Sequence, residues 1–185
     1  RASELRLSLP LPVVGKPARA VSTIGVSIVE REEDRIPALK KAGECDEEIL
    51  VETFIRGKEI TVAILDDRPL PVIEIVPKSG FYDYRSKYTK VETQYLLPAP
   101  LPKERYLQAQ ELSLKAYRVL GCSGCVRVDL MTDQEGRPFV IDVNTMPGMT
   151  ETSLVPKAAQ HAGISFGDLA ERILLGASLK LECDG

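Results

Sequence analysis

An α+β fold with antiparallel sheet is what this 185-residue sequence predicts, on three observations. Two alternating runs, residues 124–131 and 139–144, flank Thr132-Asp-Gln-Glu-Gly-Arg137, which has the Asx and glycine chemistry of a hairpin turn. Three apolar runs, Ile49–Phe54, Ile60–Leu65 and Pro71–Val76, are separated by Arg-Gly-Lys and Asp-Asp-Arg-Pro turns and read as an antiparallel meander. Between these strand groups, Ala109, Leu112, Ala116, Val119 and Leu120 recur at helical spacing and predict a core-facing helix.

The other elements follow in chain order. Pro12–Lys16 reads as a short strand, and residues 17–25 as a loop with two hydroxyls whose backbone N–H groups could wrap phosphate. The Gly-Lys-Ser/Thr ending of a Walker A loop is absent. Val26–Val29 is a second strand, and a helix starts near Asp34 as its cap, with Pro37 in the first turn and Lys40, Lys41 and Gly43 closing it. Periodicity stops from Lys78 to Tyr95, where Phe81-Tyr-Asp-Tyr-Arg-Ser-Lys-Tyr88 clusters aromatic and charged groups. A long, rich loop of this kind reads as a functional lid, with a solvated loop packing its own tyrosines as the plain alternative. Pro102 opens the long helix and Gly121 stops it. Ser153 is expected to cap a helix ending at His161 before Gly163, with the imidazole at the C-terminal dipole. Ser165 and Asp168 form a capping-box-like start to a last helix with a stripe of Phe166, Leu169, Ala170, Ile173 and Leu174.

Composition bounds the function. Charged residues make up 28%, apolar ones 44%, and the net charge is -3, an ordinary globular balance that leaves little room for disorder and argues against bulk nucleic-acid binding. The length allows one domain with a substantial core, or two small lobes sharing a cleft. No apolar run approaches the roughly 20 residues of a membrane helix, and no signal-peptide pattern opens the chain, so a cytoplasmic location is expected. Four cysteines, at 45, 122, 125 and 183, are few and irregular for a secreted disulfide framework and fit reduced thiols. Cys122-Ser-Gly-Cys125 spells C-x-x-C, but there is no second pair and His161 is the only histidine. Space-filling at the start of a buried strand accounts for these cysteines, with a redox or zinc module as the rival reading.

The central hairpin carries polar groups where an apolar strand should have none. With period two, Val126, Val128 and Leu130 share one face, and Cys125, Arg127, Asp129 and Met131 the other. In the next run Phe139, Ile141 and Val143 share a face opposite Val140, Asp142 and Asn144. A two-residue loop at Glu135-Gly136 sets Asp129 opposite Asp142 and Arg127 opposite Asn144. Facing carboxylates repel unless something positive lies between them. A divalent cation would answer that need, and hard oxygen ligands suit magnesium, with Asn144 adding a neutral oxygen. The plain alternative is a solvent-facing polar side with Arg127 in a surface ion pair of about 0–1 kcal/mol.

With these pieces in order, the sequence resembles the D-alanine-D-alanine ligases of the ATP-grasp superfamily. The resemblance rests on Lys16-Pro17 and the serine loop to Gly25, Val51-Glu52 with Glu59, Phe81–Tyr88, Arg127-Val-Asp129, and Asn144-Thr-Met-Pro-Gly-Met-Thr150 with Ser153-Leu-Val-Pro156. It runs from about residue 10 to 176. It implies an ATP-grasp fold of two α+β lobes clasping ATP: residues 11–76 as the small lobe, 77–176 as the large lobe with a lid at 78–95 and a metal hairpin at 124–144, and a tail at 177–185. The γ-phosphate of ATP would pass to the carboxylate of one D-alanine, and the amine of a second would attack the acyl phosphate, serving peptidoglycan precursor synthesis.

The resemblance also implies roles. Lys16 would contact the ATP phosphates, Glu52 and the backbone of residues 53–55 the adenine, Phe54 the face of the base, and Glu59 the ribose. Asp129, Asp142 and Asn144 would hold one or two Mg2+, with Mn2+ as a substitute. Arg127 and the N–H of Gly148 would stabilise the oxyanion, Lys87 would reach the γ-phosphate, Tyr88 and Ser22 would help shut the site, and Ser153 with Leu154 would take the second substrate's carboxylate. A homodimer is the common assembly.

Three departures from the family pattern stand out. Asp142 replaces the usual Glu and shortens the reach toward a second metal. Gly15 and Val21 stand in a loop usually written Val-Lys-Pro and Gly-Ser-Ser. The family's N-terminal domain, with a glutamate near the first D-alanine and a further ATP-binding lysine, has no counterpart before Arg1, so residues 1–10 read as a leader or truncated upstream element. The alternatives are therefore a truncated, non-catalytic ATP-binding remnant and a related ligase such as one making D-alanyl-D-lactate.

Overall fold

A computed structural model describes residues 9–19, 24–77 and 93–177. The chain forms two compact units, Arg1–Ile55 and Arg56–Gly185. Most of the lid region, with Lys87 and Tyr88, lies outside the described residues, as does Ser22.

In the first unit, β1 (Val13–Pro17) is the middle of a three-stranded antiparallel sheet between β2 (Ser27–Val29) and β3 (Ile49–Thr53). Helix α1 (Arg35–Gly43) turns Ala38, Leu39 and Ala42 inward, and Ala38 packs with Val13 and Val29. Asp34 does not cap α1. A 3-10 turn at Glu32–Asp34 runs straight into the helix, so Asp34 has helical backbone angles instead of the extended ones a cap requires. Its carboxylate accepts instead from Arg31 Nε at 3.1 Å.

The second unit is built on an antiparallel sheet in the order β7-β6-β4-β8-β9: β4 is Glu59–Leu65, β6 Ile73–Pro77, β7 Thr93–Leu96, β8 Cys125–Thr132 and β9 Pro138–Asn144, and β5 (Arg68–Pro69) pairs with β4. The expected meander is corrected here. Ile49–Thr53 pairs with β1 in the first unit, and β4 pairs with β6 and β8. Local turn signals identify strands but not their neighbours, and the apolar composition of β4 suits a strand covered on both faces, where all seven of its residues are buried. Residues 93–95, expected in the lid, already belong to β7.

Helix α2 (Lys103–Val119) covers one sheet face, where Ile60, Val62, Ile64, Val126, Val128 and Leu130 form a core with Ala109 and Tyr117. Its buried residues are Ala109, Ser113 and Tyr117, whereas Val119 and Leu120 of the predicted stripe are 75% and 62% exposed. Ala109 and Leu112 of the predicted stripe face the core, and the buried seam runs on through Ser113 and Tyr117; Ser113 escapes a composition-based reading because its hydroxyl bonds Ala109 O at 2.7 Å within the helix. Helices α3 (Leu154–His161) and α4 (Phe166–Leu175) lie on the other face, where Val155, Ala158, Ala159 and Leu169 pack with Ala63, Leu65, Ile73 and Cys125. Ser165 caps α4 as predicted, accepting from the Asp168 N–H at 3.1 Å and donating to its carboxylate at 2.7 Å. Phe166, Ala170 and Leu174 of the expected stripe are exposed, and Leu169 is the buried anchor.

Candidate active site

The hairpin of β8 and β9 places Asp129 opposite Asp142 and Arg127 opposite Asn144, as predicted, by a route the sequence did not show. Thr132 pairs with Pro138, Met131 with Phe139 and Leu130 with Val140, one residue off the register that a Glu135-Gly136 loop would set. The turn is longer: Asp133 accepts from the N–H groups of Glu135 and Arg137 at 2.9 and 2.8 Å, with Gly136 at φ 76. A register shift between Asp129 and Leu130 absorbs Ile141 and restores the facing carboxylates. The same bulge corrects the predicted faces of β9, since Val140 and Val143 both pack on the α2 side.

Across the sheet, Glu59 pairs with Met131, Thr61 with Asp129 and Ala63 with Arg127. Directly opposed residues share a face, so Glu59, Thr61, Arg127, Asp129, Asp142 and Asn144 form one polar patch. It continues the face that α3 and α4 cover at the Leu65 and Cys125 end. Arg127 lies along its own strand and grips Asp129 with two bonds, Nε to Oδ1 at 2.8 Å and Nη2 to Oδ2 at 2.7 Å. On the other side Thr61 Oγ1 lies 2.7 Å from Asp129 Oδ1. A guanidinium thus supplies positive charge to Asp129 and within electrostatic reach of Asp142, and the pairing envisaged by the plain alternative exists in a part-buried setting. Burial disfavours the Arg127 charge, but the hydrogen bonds to Asp129, with the charges of Asp129, Asp142 and Glu59, outweigh it and hold the group above its ordinary value.

Among the described residues no group of three or more His, Cys, Asp or Glu could hold a metal ion. The patch offers two carboxylates and an amide. That donor chemistry fits magnesium, which takes one or two carboxylates and completes its shell with water and phosphate oxygens. Asn144 Oδ1 accepts from the Met146 N–H at 3.0 Å, which fixes the amide and leaves the oxygen a second lone pair.

Beyond β9 the chain reaches Gly148 and Ser153. Ser153 has the extended backbone of a cap, but its hydroxyl makes no bond to α3, correcting that expectation. It turns back into the loop, accepting from the Thr150 N–H at 3.1 Å and lying 2.8 Å from Thr150 Oγ1. A Cβ at Gly148 would stand 3.0 Å from Ser153 Oγ, so these two predicted residues are neighbours. Leu154 opens α3 and packs against the core beneath it.

In the first unit, Lys16 Nζ and Glu52 Oε2 are 2.8 Å apart, diagonal partners across β1 and β3, where Val14 pairs with Glu52. Phe54 is half-buried just past β3, its N–H bonded to Pro12 O at 3.1 Å.

Cys125 is buried and its thiol is pushed up to about 11, chiefly by desolvation and also by the charge of Asp66. That is the environment of a structural cysteine, not of a redox pair. Sequence reasoning missed Thr61. The signal was the lone hydroxyl within Ile60-Thr-Val-Ala-Ile-Leu65, and its meaning depends on the β4–β8 register.

A family model described as D-ala D-ala ligase C-terminus matches residues 2–175. A D-alanine–D-alanine ligase from Syntrophotalea carbinolica is 53% identical over 169 residues, covering 91% of this chain and 55% of the relative. The crystal structure of a D-alanine–D-alanine ligase from Bacillus anthracis complexed with ATP is similar with a TM-score of 0.75 and 36% identity, covering 90% of this chain and 52% of that one. The VanG D-Ala:D-Ser ligase from Enterococcus faecalis is similar with a TM-score of 0.80 and 34% identity, covering 90% and 50%. The chain thus spans about half the length of the relatives it matches.

Proposed function

Because the chain belongs to the D-ala D-ala ligase C-terminal family and has its ATP-grasp fold, we propose that it forms the ATP- and metal-binding part of a ligase joining two D-alanines through an acyl phosphate. The observation that carries this reading is the in-register patch of Arg127, Asp129, Asp142 and Asn144 on one sheet face. Two carboxylates beside a guanidinium suit a reaction in which phosphate charge must be gathered and then moved.

In this reading Asp129, Asp142 and Asn144 would hold Mg2+, with Mn2+ as a substitute, and the bound ion would supply positive charge against the phosphate oxygens. Arg127 engages Asp129 through two of its five N–H donors and has three left for the substrate oxyanion, alongside the N–H of Gly148. Lys16 and Glu52 are already paired, and ATP would draw Lys16 to its phosphates and Glu52 to the adenine, with Phe54 on the base and Glu59 at the ribose. Ser153 and Leu154 take the carboxylate of the second D-alanine, while Ser22, Lys87 and Tyr88 close the site. Cytoplasmic peptidoglycan precursor synthesis and a homodimer belong to the same reading; no helix among the described residues is long and apolar enough to cross a membrane.

The test is D-alanine-dependent phosphate release from Mg-ATP by the folded chain, beside Arg127→Ala. Release that falls by at least about a hundredfold in the variant supports the reading. No release by a folded chain sinks the claim that this chain alone carries the reaction, and leaves ATP binding to be measured directly. The likeness to VanG keeps a second substrate other than D-alanine in view, so D-serine and D-lactate belong in the same assay.

A further inference from the structure

We infer that Thr61 is a positioning residue for Asp129, fixing the orientation of that carboxylate so that it and Asp142 can take a divalent cation together. The inference rests on the proposed metal role of the two aspartates and adds a residue to it.

Thr61 is 2% exposed, at the middle of a strand buried from end to end, with Ile60 and Val62 on either side at 0%. A hydroxyl survives in such a place only with a partner. The register sets Thr61 directly opposite Asp129, and the hydroxyl has two acceptors within reach, Asp129 Oδ1 at 2.7 Å and Val128 O at 3.1 Å. It has one proton to give, and the shorter contact to the charged oxygen takes it.

Thr61 and Arg127 hold Asp129 in different ways. Arg127 is a long side chain that, in the proposed function, also serves the substrate oxyanion with its remaining N–H donors. Thr61 is β-branched, restricted at χ1 and locked in the sheet. It holds Oδ1 at 2.7 Å from a fixed place in the sheet, so the carboxylate would keep its orientation when a cation binds. Partners of this kind set metal affinity because they decide where the ligand's lone pairs point.

The test is Mn2+ binding in the presence of ADP, followed by electron paramagnetic resonance, for the wild-type protein, Thr61→Val, Thr61→Ser and Asp129→Asn. Thr61→Val keeps the shape and removes the hydroxyl, and is expected to weaken Mn2+ binding by about tenfold or more. Thr61→Ser is expected to stay within about threefold of wild type, and metal-free ADP binding is expected to be the same in both. Valine binding Mn2+ as tightly as wild type, or serine binding no better than valine, overturns the inference. Asp129→Asn separates the two levels: if it leaves Mn2+ binding unchanged, the metal reading itself fails, whereas a weak Asp129→Asn beside a normal Thr61→Val removes only Thr61 from it. Should the valine variant not fold, Thr61→Cys, of similar size but a poor donor, carries the same expectation.

Discussion

Arg127 sits between two demands, since the guanidinium that binds Asp129 also feels the charge of Asp142. Removing it leaves two facing carboxylates on one sheet face. Arg127→Ala is therefore expected to lose about 1–2 kcal/mol of stability, and to regain more of its thermal midpoint than wild type does when Mg2+ is added; an equal Mg2+ response in both would argue against the cation entering there. Cys125 makes a contrasting case. With its thiol at about 11, roughly one molecule in a thousand carries a thiolate at pH 8, so a thiol reagent is expected to label exposed Cys45 rapidly and Cys125 only as the fold opens. The sign for stability follows: a neutral folded thiol favours the native state below the unfolded value near 9, and that contribution is lost as pH rises from 9 through about 11.

The elements that carry the site depend on a few close approaches. Gly57 precedes β4, where the Thr132 N–H donates to Lys58 O at 2.8 Å and ties the strand start to β8. A Cβ on Gly57 would overlap the Thr132 carbonyl oxygen and come within 2.7 Å of its carbon. Gly57→Ala is expected to cost about 3 kcal/mol or more in a denaturant titration, because both contacts are backbone and cannot swing aside. The cap of α4 is a smaller effect, and Ser165→Ala is expected to cost about 1 kcal/mol. Asp34→Ala should cost far less, since Asp34 makes no cap bond. These two positions look alike in sequence, an acceptor ahead of an apolar run, and backbone conformation alone separates them.

For the molecule as a whole, hydrogen-bonded carboxylates bear on the acid limit. The pKa of Asp67 is lowered chiefly by its hydrogen bonds from Arg118, and that of Asp46 chiefly by the Glu48 backbone N–H. At Asp133 desolvation raises the value, but bonds from the Arg137 side chain and backbone prevail and lower it. Carboxylates with lowered folded values stabilise the native state above their unfolded value near 4, and lose that contribution as pH falls through the lower folded values. Urea midpoints are thus expected to hold from pH 7 to 5 and drop below pH 4, with a smaller drop in Asp67→Asn; Asp67 is solvent-facing, so added salt should flatten its share of the response. No such loss would mean that these pairs persist equally in the unfolded chain.

Most strand and helix positions, the facing of Asp129 and Asp142 and the cap at Ser165 were legible in the sequence, because periodicity and turn chemistry are local, whereas β7, inside the expected lid, was not. What could not be read were the relations that local signals do not encode: that Ile49–Thr53 belongs to another sheet than β4, that a bulge at Ile141 rescues the register, and that the seam of α2 runs through Ser113. Each is decided by which surfaces become buried together. The amino-acid sequence by itself determined which groups the candidate site offers, since Arg127, Asp129, Asp142 and Asn144 stand in two strands joined by one turn. Tertiary structure alone decided how that chemistry is held, because Thr61 reaches Asp129 across 68 residues of chain, and only sheet pairing brings a hydroxyl from one strand against a carboxylate on another.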